Sequence, residues 1–371
     1  MTAITTAAKK WVTGLTTYEA GRPIEEVARE LGIPNPDDIV KVASNENALG
    51  PSPLAVAAMR EASGKMHIYP DGETYYLRQA LANRLGVKPA EVFFGHGSNE
   101  ILALLGHVYL EKGTNIVMAD RAFVVYKLVA ALYEATTITV PMRNFTHDLD
   151  AMLAAITPET RLVFISNPNN PTGTIVDGAA IDRFMARVPD HVVIVFDEAY
   201  IELLPPEKQP DTLKYVREGR NVYVLRTFSK TYGLAGLRIG YGIAPEGGVK
   251  LLHRVRQPFN VNAMAQAAAM AALKDDDYVQ RTRQLVTDGL REFEVAFKRL
   301  GLEYVPSVAN FVLVKTGRGR ELFEALRRKL VIIRPVDAYG LPDYVRITIG
   351  THEENARVIK ALEEVLRERL S

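Results

Sequence analysis

Val222-Tyr223-Val224-Leu225-Arg226-Thr227-Phe228-Ser229-Lys230-Thr231-Tyr232-Gly233-Leu234-Ala235-Gly236-Leu237-Arg238 is the stretch that decides the fold. Its apolar run, Val222 to Leu225, feeds into a lone lysine flanked by hydroxyls and glycines, where a strand would end and present an amine. A lysine placed there, neutralised by partial burial and neighbouring cations, is nucleophilic enough to form a Schiff base with an aldehyde. Taken alone the motif reads as an ordinary solvated lysine, so the case for chemistry rests on residues elsewhere that fit the same ligand.

Two such clusters lie upstream. Asn167-Pro168-Asn169-Asn170-Pro171-Thr172-Gly173 follows the apolar run Leu162 to Ile165, and its prolines and glycine force a tight, non-helical turn that fixes Asn170. Val192-Val193-Ile194-Val195-Phe196 reads as a fully buried parallel strand, ending in Asp197-Glu198-Ala199-Tyr200, a carboxylate and a phenol where such strands meet ligands. Earlier still, Gly97-Ser98-Asn99-Glu100 opens the helical-looking Ile101-Leu102-Ala103-Leu104-Leu105, a helix N-terminus suited to an anion. Near the end, alternation in Val345-Arg346-Ile347-Thr348-Ile349 points Arg346 to the face opposite Val345 and Ile347, where it could clamp a carboxylate or phosphate bidentately.

Alternating helix and strand signals from about residue 53 to 245 predict a βαβ series and a mostly parallel sheet, with Ser52 as an N-cap and Pro53 at the first helical position. An Ala-rich stretch, Ala263 to Leu273, and an Asp275-Asp276-Asp277 run expected to be solvated precede a long amphipathic segment through Phe293 and Phe297. Strand candidates follow at Asn310 to Val314, Val331-Ile332-Ile333 and Val345 to Ile349, and a last helix opens with the capping box Thr351 and Glu354.

In this order the pieces resemble the fold-type-I pyridoxal-phosphate aminotransferases and, within them, the histidinol-phosphate aminotransferase group. The likeness covers nearly the whole chain. It takes in Ser44-Asn45-Glu46-Asn47 with Leu49-Gly50-Pro51-Ser52-Pro53, Tyr69-Pro70-Asp71-Gly72, Gly95 to Glu100, the Asn170 turn, Asp197 to Tyr200, the Lys230 segment with Arg238, and Tyr344 to Gly350. The resemblance implies an α/β fold with a large pyridoxal-phosphate domain, residues 50–265, whose mostly parallel central sheet is flanked by helices. A smaller α+β domain would come from residues 1–49 and 266–371. It further implies pyridoxal 5′-phosphate as cofactor, a homodimer with a shared active site, and ping-pong transfer of an amino group between L-histidinol phosphate and 2-oxoglutarate. An aromatic (Phe/Tyr) or dual-specificity aminotransferase is the alternative on the same fold, and a decarboxylase of a phosphorylated amino acid a further one.

Carried over residue by residue, the resemblance gives Lys230 the coenzyme aldehyde and a proton shuttle between the substrate Cα and the coenzyme C4′. Asp197 would pair with the pyridine nitrogen, and Asn170 and Tyr200 match the pair that bonds the phenolic oxygen. Gly97, Ser98, Asn99, Thr227, Ser229 and Arg238 match the phosphate pocket, and Tyr69 a tyrosine that reaches the phosphate of the neighbouring subunit. Phe123, in Ala122-Phe123-Val124-Val125-Tyr126, matches the aromatic stacked on the coenzyme ring. For substrate, Arg346 matches the carboxylate ligand, Arg334 the arginine at the substrate phosphate, Tyr18 an N-terminal tyrosine over the side chain, and Asn47 the segment leading to it. On the residues alone Phe123 also reads as core, and Arg334 and Tyr18 as surface. Ala48 after Asn47, and Asp120-Arg121 before Ala122, depart from the commoner proline and Pro-Thr and loosen the substrate assignment without touching the core chemistry.

Composition agrees with a soluble enzyme. The 371 residues, 47% hydrophobic and 24% charged, suffice for a large core in two parts. With 45 basic against 44 acidic residues, a formal charge of +1 gives no electrostatic case for nucleic acid or a membrane surface. The absence of cysteine removes disulfides, thiolate metal sites and cysteine nucleophiles, and His352-Glu353-Glu354 lacks the second histidine of a zinc motif, so no metal is expected. Without a basic segment leading into a long apolar core at the start, and without an apolar run near the roughly 18 residues of a spanning helix, the chain reads as cytoplasmic.

Overall fold

The computed structural model describes residues 3–15, 17 and 23–368. Thirteen strands run through the described residues: β1 Val40–Lys41, β2 Val92–Gly95, β3 Asn115–Ala119, β4 Thr136–Val140, β5 Thr160–Ser166, β6 Val193–Asp197, β7 Val222–Thr227, β8 Gly240–Ile243, β9 Tyr304–Val305, β10 Phe311–Lys315, β11 Val331–Ile332, β12 Arg334–Pro335 and β13 Tyr344–Thr348. Seven form one sheet in the order β2-β8-β7-β6-β5-β3-β4. Strands β3 to β7 are parallel, and β8 runs antiparallel to both β2 and β7. The expected mostly parallel sheet is therefore present, for the reason legible in sequence: β6 and β7 are buried along their whole length, as strands covered on both faces by helices must be.

A period of two sorts these strands between two core clusters. Val163, Ile165, Ile194, Phe196 and Val224 join one, and Leu162, Phe164, Val195, Tyr223 and Leu225 the other. Helix Ser98–Tyr109 covers the second face with Ile101, Leu102 and Leu105. On the first face, helices Pro53–Ser63 and Ala263–Ala272 pack together, and buried Ala55, Ala265, Ala268 and Ala269 let their backbones approach. Ser52 caps the former as expected, its hydroxyl accepting from the Leu54 N–H at 3.1 Å with Pro53 at the first helical position.

The remaining strands make an antiparallel sheet, β12-β13-β10-β9, and a parallel pair, β1 with β11. Val331 to Ile333, expected as one strand, divides: Val331 and Ile332 pair with β1, while Arg334 and Pro335 turn to pair with β13. Pro335 has no N–H to donate, which suits β12 to its place at the sheet edge. The Asp275 run is likewise more than a solvated stretch. The Asp275 side chain accepts from the Tyr278 N–H at 3.1 Å as N-cap of helix Asp276–Leu300, and it also takes the Ser52 hydroxyl. That helix buries Val279, Val286, Phe293 and Phe297 at helical spacing. The expected capping box is present, with the Thr351 N–H on Glu354 Oε2 at 2.7 Å and the Glu354 N–H on Thr351 Oγ1 at 3.2 Å. Among the described residues no helix is long and apolar enough to cross a membrane.

Candidate active site

Strands β3, β5, β6 and β7 end on one edge of the large sheet, and the polar clusters singled out in sequence lie just beyond those ends. This carboxyl edge is where parallel α/β sheets hold ligands. After Thr227 the chain turns through buried Phe228, whose N–H is held by the Ile239 carbonyl at 3.1 Å, and through Ser229, whose N–H rests on Thr227 Oγ1 at 3.0 Å. Lys230 then projects its amine onto the carbonyls of Asn45 (3.0 Å) and Ser44 (3.3 Å), 5.7 Å above the Tyr200 ring. Burial lowers the amine to about 8; the Arg346 and Arg238 cations push the same way and Glu46 opposes them.

On the adjacent strand, Asp197 is buried at 4% exposure, and its Oδ2 accepts the Tyr126 hydroxyl at 2.7 Å. Among the described residues Oδ1 is buried with no hydrogen-bond partner. Burial raises this carboxyl to about 6, offset in part by Tyr126 and the nearby Ala199 N–H. Glu198, the next residue, is quite different: its carboxylate is paired with Arg226 at 2.8 Å, both side chains being buried. A buried carboxylate left with one open oxygen beside a fully neutralised neighbour marks Asp197 as awaiting a cation.

Tyr200 lies under the lysine amine, and Asn170 is tied to Arg346. Arg346, 6% exposed, donates to Asn170 Oδ1 at 2.7 Å and to the Ala43 carbonyl at 2.8 Å. Because a guanidinium only donates, Asn170 must turn its oxygen to Arg346 and its NH₂ the other way. Tyr200 accepts from Asn45 Nδ2 at 2.9 Å, and burial pushes its phenol up to about 12. Arg334 lies directly across from Arg346 in the β12–β13 register and donates to the same Ala43 carbonyl at 3.2 Å. Like charges facing each other across a ladder are unfavourable unless an anion joins them.

The anion cradle is built around Gly97, which starts helix Ser98–Tyr109 at φ 73° with no side-chain cap, leaving first-turn N–H groups to an outside acceptor. A Cβ on Gly97 would stand 2.7 Å from Arg238 Nη2, and one on Gly240 would stand 2.4 Å from the Ser98 nitrogen, so only glycine lets these three segments meet. Ser98 is half-buried, Asn99 exposed, and Thr227 and Ser229 buried. An open carboxylate oxygen, a capless helix start with an arginine against it, and a lysine of lowered basicity fit the ring nitrogen, phosphate and aldehyde of a pyridoxal phosphate. Among the described residues no group of three or more His, Cys, Asp or Glu could hold a metal ion.

Phe123 is half-buried and edge-on to Tyr126, with centroids 5.7 Å apart. Asn47 is held against the lysine segment. Its Nδ2 reaches the carbonyls of Lys230 (3.2 Å) and Thr231 (3.1 Å), and Oδ1 closes a local turn on the Leu49 N–H. Tyr69 is 79% exposed and stacks on Phe259 at 4.7 Å, on the surface of the chain. Tyr18 lies outside the described residues. Sequence reasoning missed Tyr126, which carried only the faint signal of a position three residues after Phe123, and Asn45, quoted within its motif but given no role.

The family profile described as "Aminotransferase class I and II" matches residues 37–362. A histidinol-phosphate aminotransferase from Akkermansia muciniphila is 52% identical over 365 residues, 98% of this chain and 100% of the relative. Another from Moorella thermoacetica is 52% identical, covering 94% of this chain and 90% of the relative. The crystal structure of histidinol-phosphate aminotransferase from Sinorhizobium meliloti in complex with pyridoxal-5′-phosphate superposes with a TM-score of 0.90 at 29% identity, covering 98% of each chain. With the strand-end lysine, open carboxylate and anion cradle all in place, the chain belongs to the class I and II aminotransferase family and, within it, to the histidinol-phosphate aminotransferases.

Proposed function

We propose that the chain transfers the amino group between L-histidinol phosphate and 2-oxoglutarate, giving imidazole-acetol phosphate and L-glutamate in histidine biosynthesis, with pyridoxal 5′-phosphate as cofactor. One juxtaposition carries the reading: at the ends of neighbouring parallel strands, a buried carboxylate keeps one oxygen open and an amine is held at about 8. When bound, the coenzyme supplies the carbon that accepts the amino group and a ring that withdraws electrons as the substrate Cα–H bond breaks. Lys230, already partly neutral near pH 8, anchors the coenzyme and then carries the Cα proton. Asp197 Oδ1 holds a proton on the ring nitrogen, and the Tyr200 hydroxyl and Asn170 Nδ2 serve the phenolic oxygen. The first-turn N–H groups from Ser98 and Asn99, the hydroxyls of Thr227 and Ser229, and Arg238 hold the phosphate. Arg346 takes the carboxylate, Arg334 the donor's own phosphate, Phe123 the ring face, and Tyr18 covers the donor side chain. Asn47 supports Lys230 from behind.

We assign residues 50–265 to the coenzyme domain and residues 1–49 with 266–371 to the smaller one, a division supported by β2 to β8 lying within the first range and by β1 pairing with β11 in the second. A homodimer is supported by the exposed Ile68, Tyr69, Tyr75 and Tyr76, with Tyr69 reaching the neighbour's phosphate.

Single-turnover absorbance with histidinol phosphate, phenylalanine and buffer tests the substrate. Fast loss of the bound coenzyme's visible band with histidinol phosphate alone is expected. Equal rates with phenylalanine would make the enzyme aromatic or dual in specificity, and release of CO₂ would make it a decarboxylase.

Tyr126→Phe keeps the ring stacked on Phe164, now 4.5 Å away and 4° from parallel, and removes only the oxygen on Asp197. Coenzyme affinity should fall about tenfold near pH 7. The loss should shrink near about pH 9, where Asp197 ionises unaided. Absorbance titration of the coenzyme-free protein measures both; an equal loss at both pH values would leave Tyr126 a packing residue only.

A further inference from the structure

Asn45 is 1% exposed and sits at φ 54°, a left-handed conformation that asparagine tolerates better than most residues. Its backbone N–H donates to Thr348 Oγ1 at 2.9 Å, and the Thr348 hydroxyl donates back to Asn45 Oδ1 at 3.0 Å. Its Nδ2 donates to the Tyr200 oxygen at 2.9 Å, and its carbonyl accepts the Lys230 amine at 3.0 Å and Asn310 Nδ2 at 3.1 Å. Both residues flanking the coenzyme's reactive edge in the proposed function, Tyr200 and Lys230, therefore bond to this one asparagine.

The direction of these bonds is decided by Thr348. Its buried hydroxyl has a single proton, and the oxygen already accepts the Asn45 N–H. If the Asn45 amide turned over, its NH₂ would face that hydroxyl and the hydroxyl proton would lose its acceptor, leaving a buried donor unsatisfied. The amide is thus locked with oxygen toward Thr348 and NH₂ toward Tyr200. A phenol that accepts from an amide there must point its own proton elsewhere, and among the described residues the Tyr200 hydroxyl has no other hydrogen bond. With burial holding the phenol near 12, that proton stays on the oxygen at neutral pH.

We propose that Asn45, locked by Thr348, is a positioning residue that makes Tyr200 an obligatory donor to the coenzyme's phenolic oxygen and thereby sets the acid–base midpoint of the bound chromophore. The inference rests on the assignment of Tyr200 to that oxygen. A donor draws negative charge off the phenolic oxygen and weakens its hold on a neighbouring proton, so losing the enforced direction raises the midpoint.

The test is a spectrophotometric pH titration of the holoenzyme in four variants. Asn45→Gly keeps the left-handed backbone and its three backbone contacts while deleting the side chain. Thr348→Val leaves Tyr200 untouched and frees the amide to turn over. Each should move the midpoint upward by about half to one pH unit. Tyr200→Phe should move it upward as well, and Asn45→Gly added to Tyr200→Phe should move it no further. An equal shift from Asn45→Gly in both backgrounds, or none in either, would overturn the role of Asn45 while leaving Tyr200 in place. An unmoved midpoint in Tyr200→Phe alone would remove Tyr200 from the phenolic oxygen and overturn the inference with it. A merely structural Asn45 would alter melting temperature and coenzyme affinity without this dependence on Tyr200.

Discussion

Lys230→Met should lower turnover by about a thousandfold or more, since in the proposed function it removes both the covalent anchor and the group that carries the Cα proton. The cradle at Gly97 and Arg238 and the open oxygen of Asp197 remain, so the coenzyme should still bind, but dialysis should strip it from the variant far faster than from the wild type. The substitution also has a consequence for folding that does not depend on catalysis. The amine, ordinarily at 10.5, stands at about 8 in the folded protein. Between these values the unfolded chain binds more protons than the folded one, so stability rises with pH across the window. Below about 8 the folded, coenzyme-free protein carries the full cost of the buried charge, on the order of 1–2 kcal/mol after allowance for screening at a partly exposed side chain. Above about 10.5 that cost is gone. Coenzyme-free Lys230→Met should therefore melt above the wild type at pH 7, and the gap should narrow by about pH 10. A gap of constant size would mean that the amine is not displaced, and a variant that transaminates at a comparable rate would remove Lys230 from the chemistry.

What could be read from sequence followed how local each signal was. β6 and β7 announce themselves as continuous apolar runs, and a polar residue at the end of a buried parallel strand has nowhere to go but the ligand edge, which made Asp197 and Lys230 legible. The Asn170 turn was legible because prolines and glycine leave the backbone few options. Arg346 followed from alternation along β13, with Val345 and Ile347 buried in the core of the smaller sheet as expected. Tyr126 was not legible, because a tyrosine in an apolar helix start reads as core, and nothing nearby reveals the carboxylate 71 residues away that it serves. Asn45 is the extreme case: its partners stand 155, 185, 265 and 303 residues along the chain. No local pattern encodes a hub assembled from such separations. The bond from Asn47 to the Lys230 carbonyl was not legible for a related reason, since its motif places the segment and only the turn it closes on Leu49 aims its amide.

Asp197→Asn should cost about a hundredfold to a thousandfold in turnover, the usual scale for deleting one preorganised charge aimed at a developing charge. The replacement is nearly isosteric, so Tyr126 can still donate to the remaining oxygen, but the open position becomes a neutral group that cannot hold a proton on the ring nitrogen. Coenzyme affinity should fall about tenfold or more with the loss of a charge-assisted bond. Stability should move in opposite directions with and without coenzyme. The wild-type carboxyl, ordinarily at 3.8, is raised to about 6. Between those values the folded chain binds more protons than the unfolded one, so stability falls as pH rises through the window. Above about pH 6 the coenzyme-free protein bears about 3 kcal/mol for an ionised, half-partnered carboxylate in its interior. The amide carries no such cost, so coenzyme-free Asp197→Asn should be more stable than the wild type at pH 7 and equal to it below about pH 4. With saturating coenzyme the wild type gains a cationic partner for Asp197 and the variant does not, so the order should reverse. Chemical denaturation at both pH values, with and without coenzyme, reads all four states. A variant less stable than the wild type in the coenzyme-free state at pH 7 would mean that Asp197 is already satisfied within the chain and is not held open for a cation.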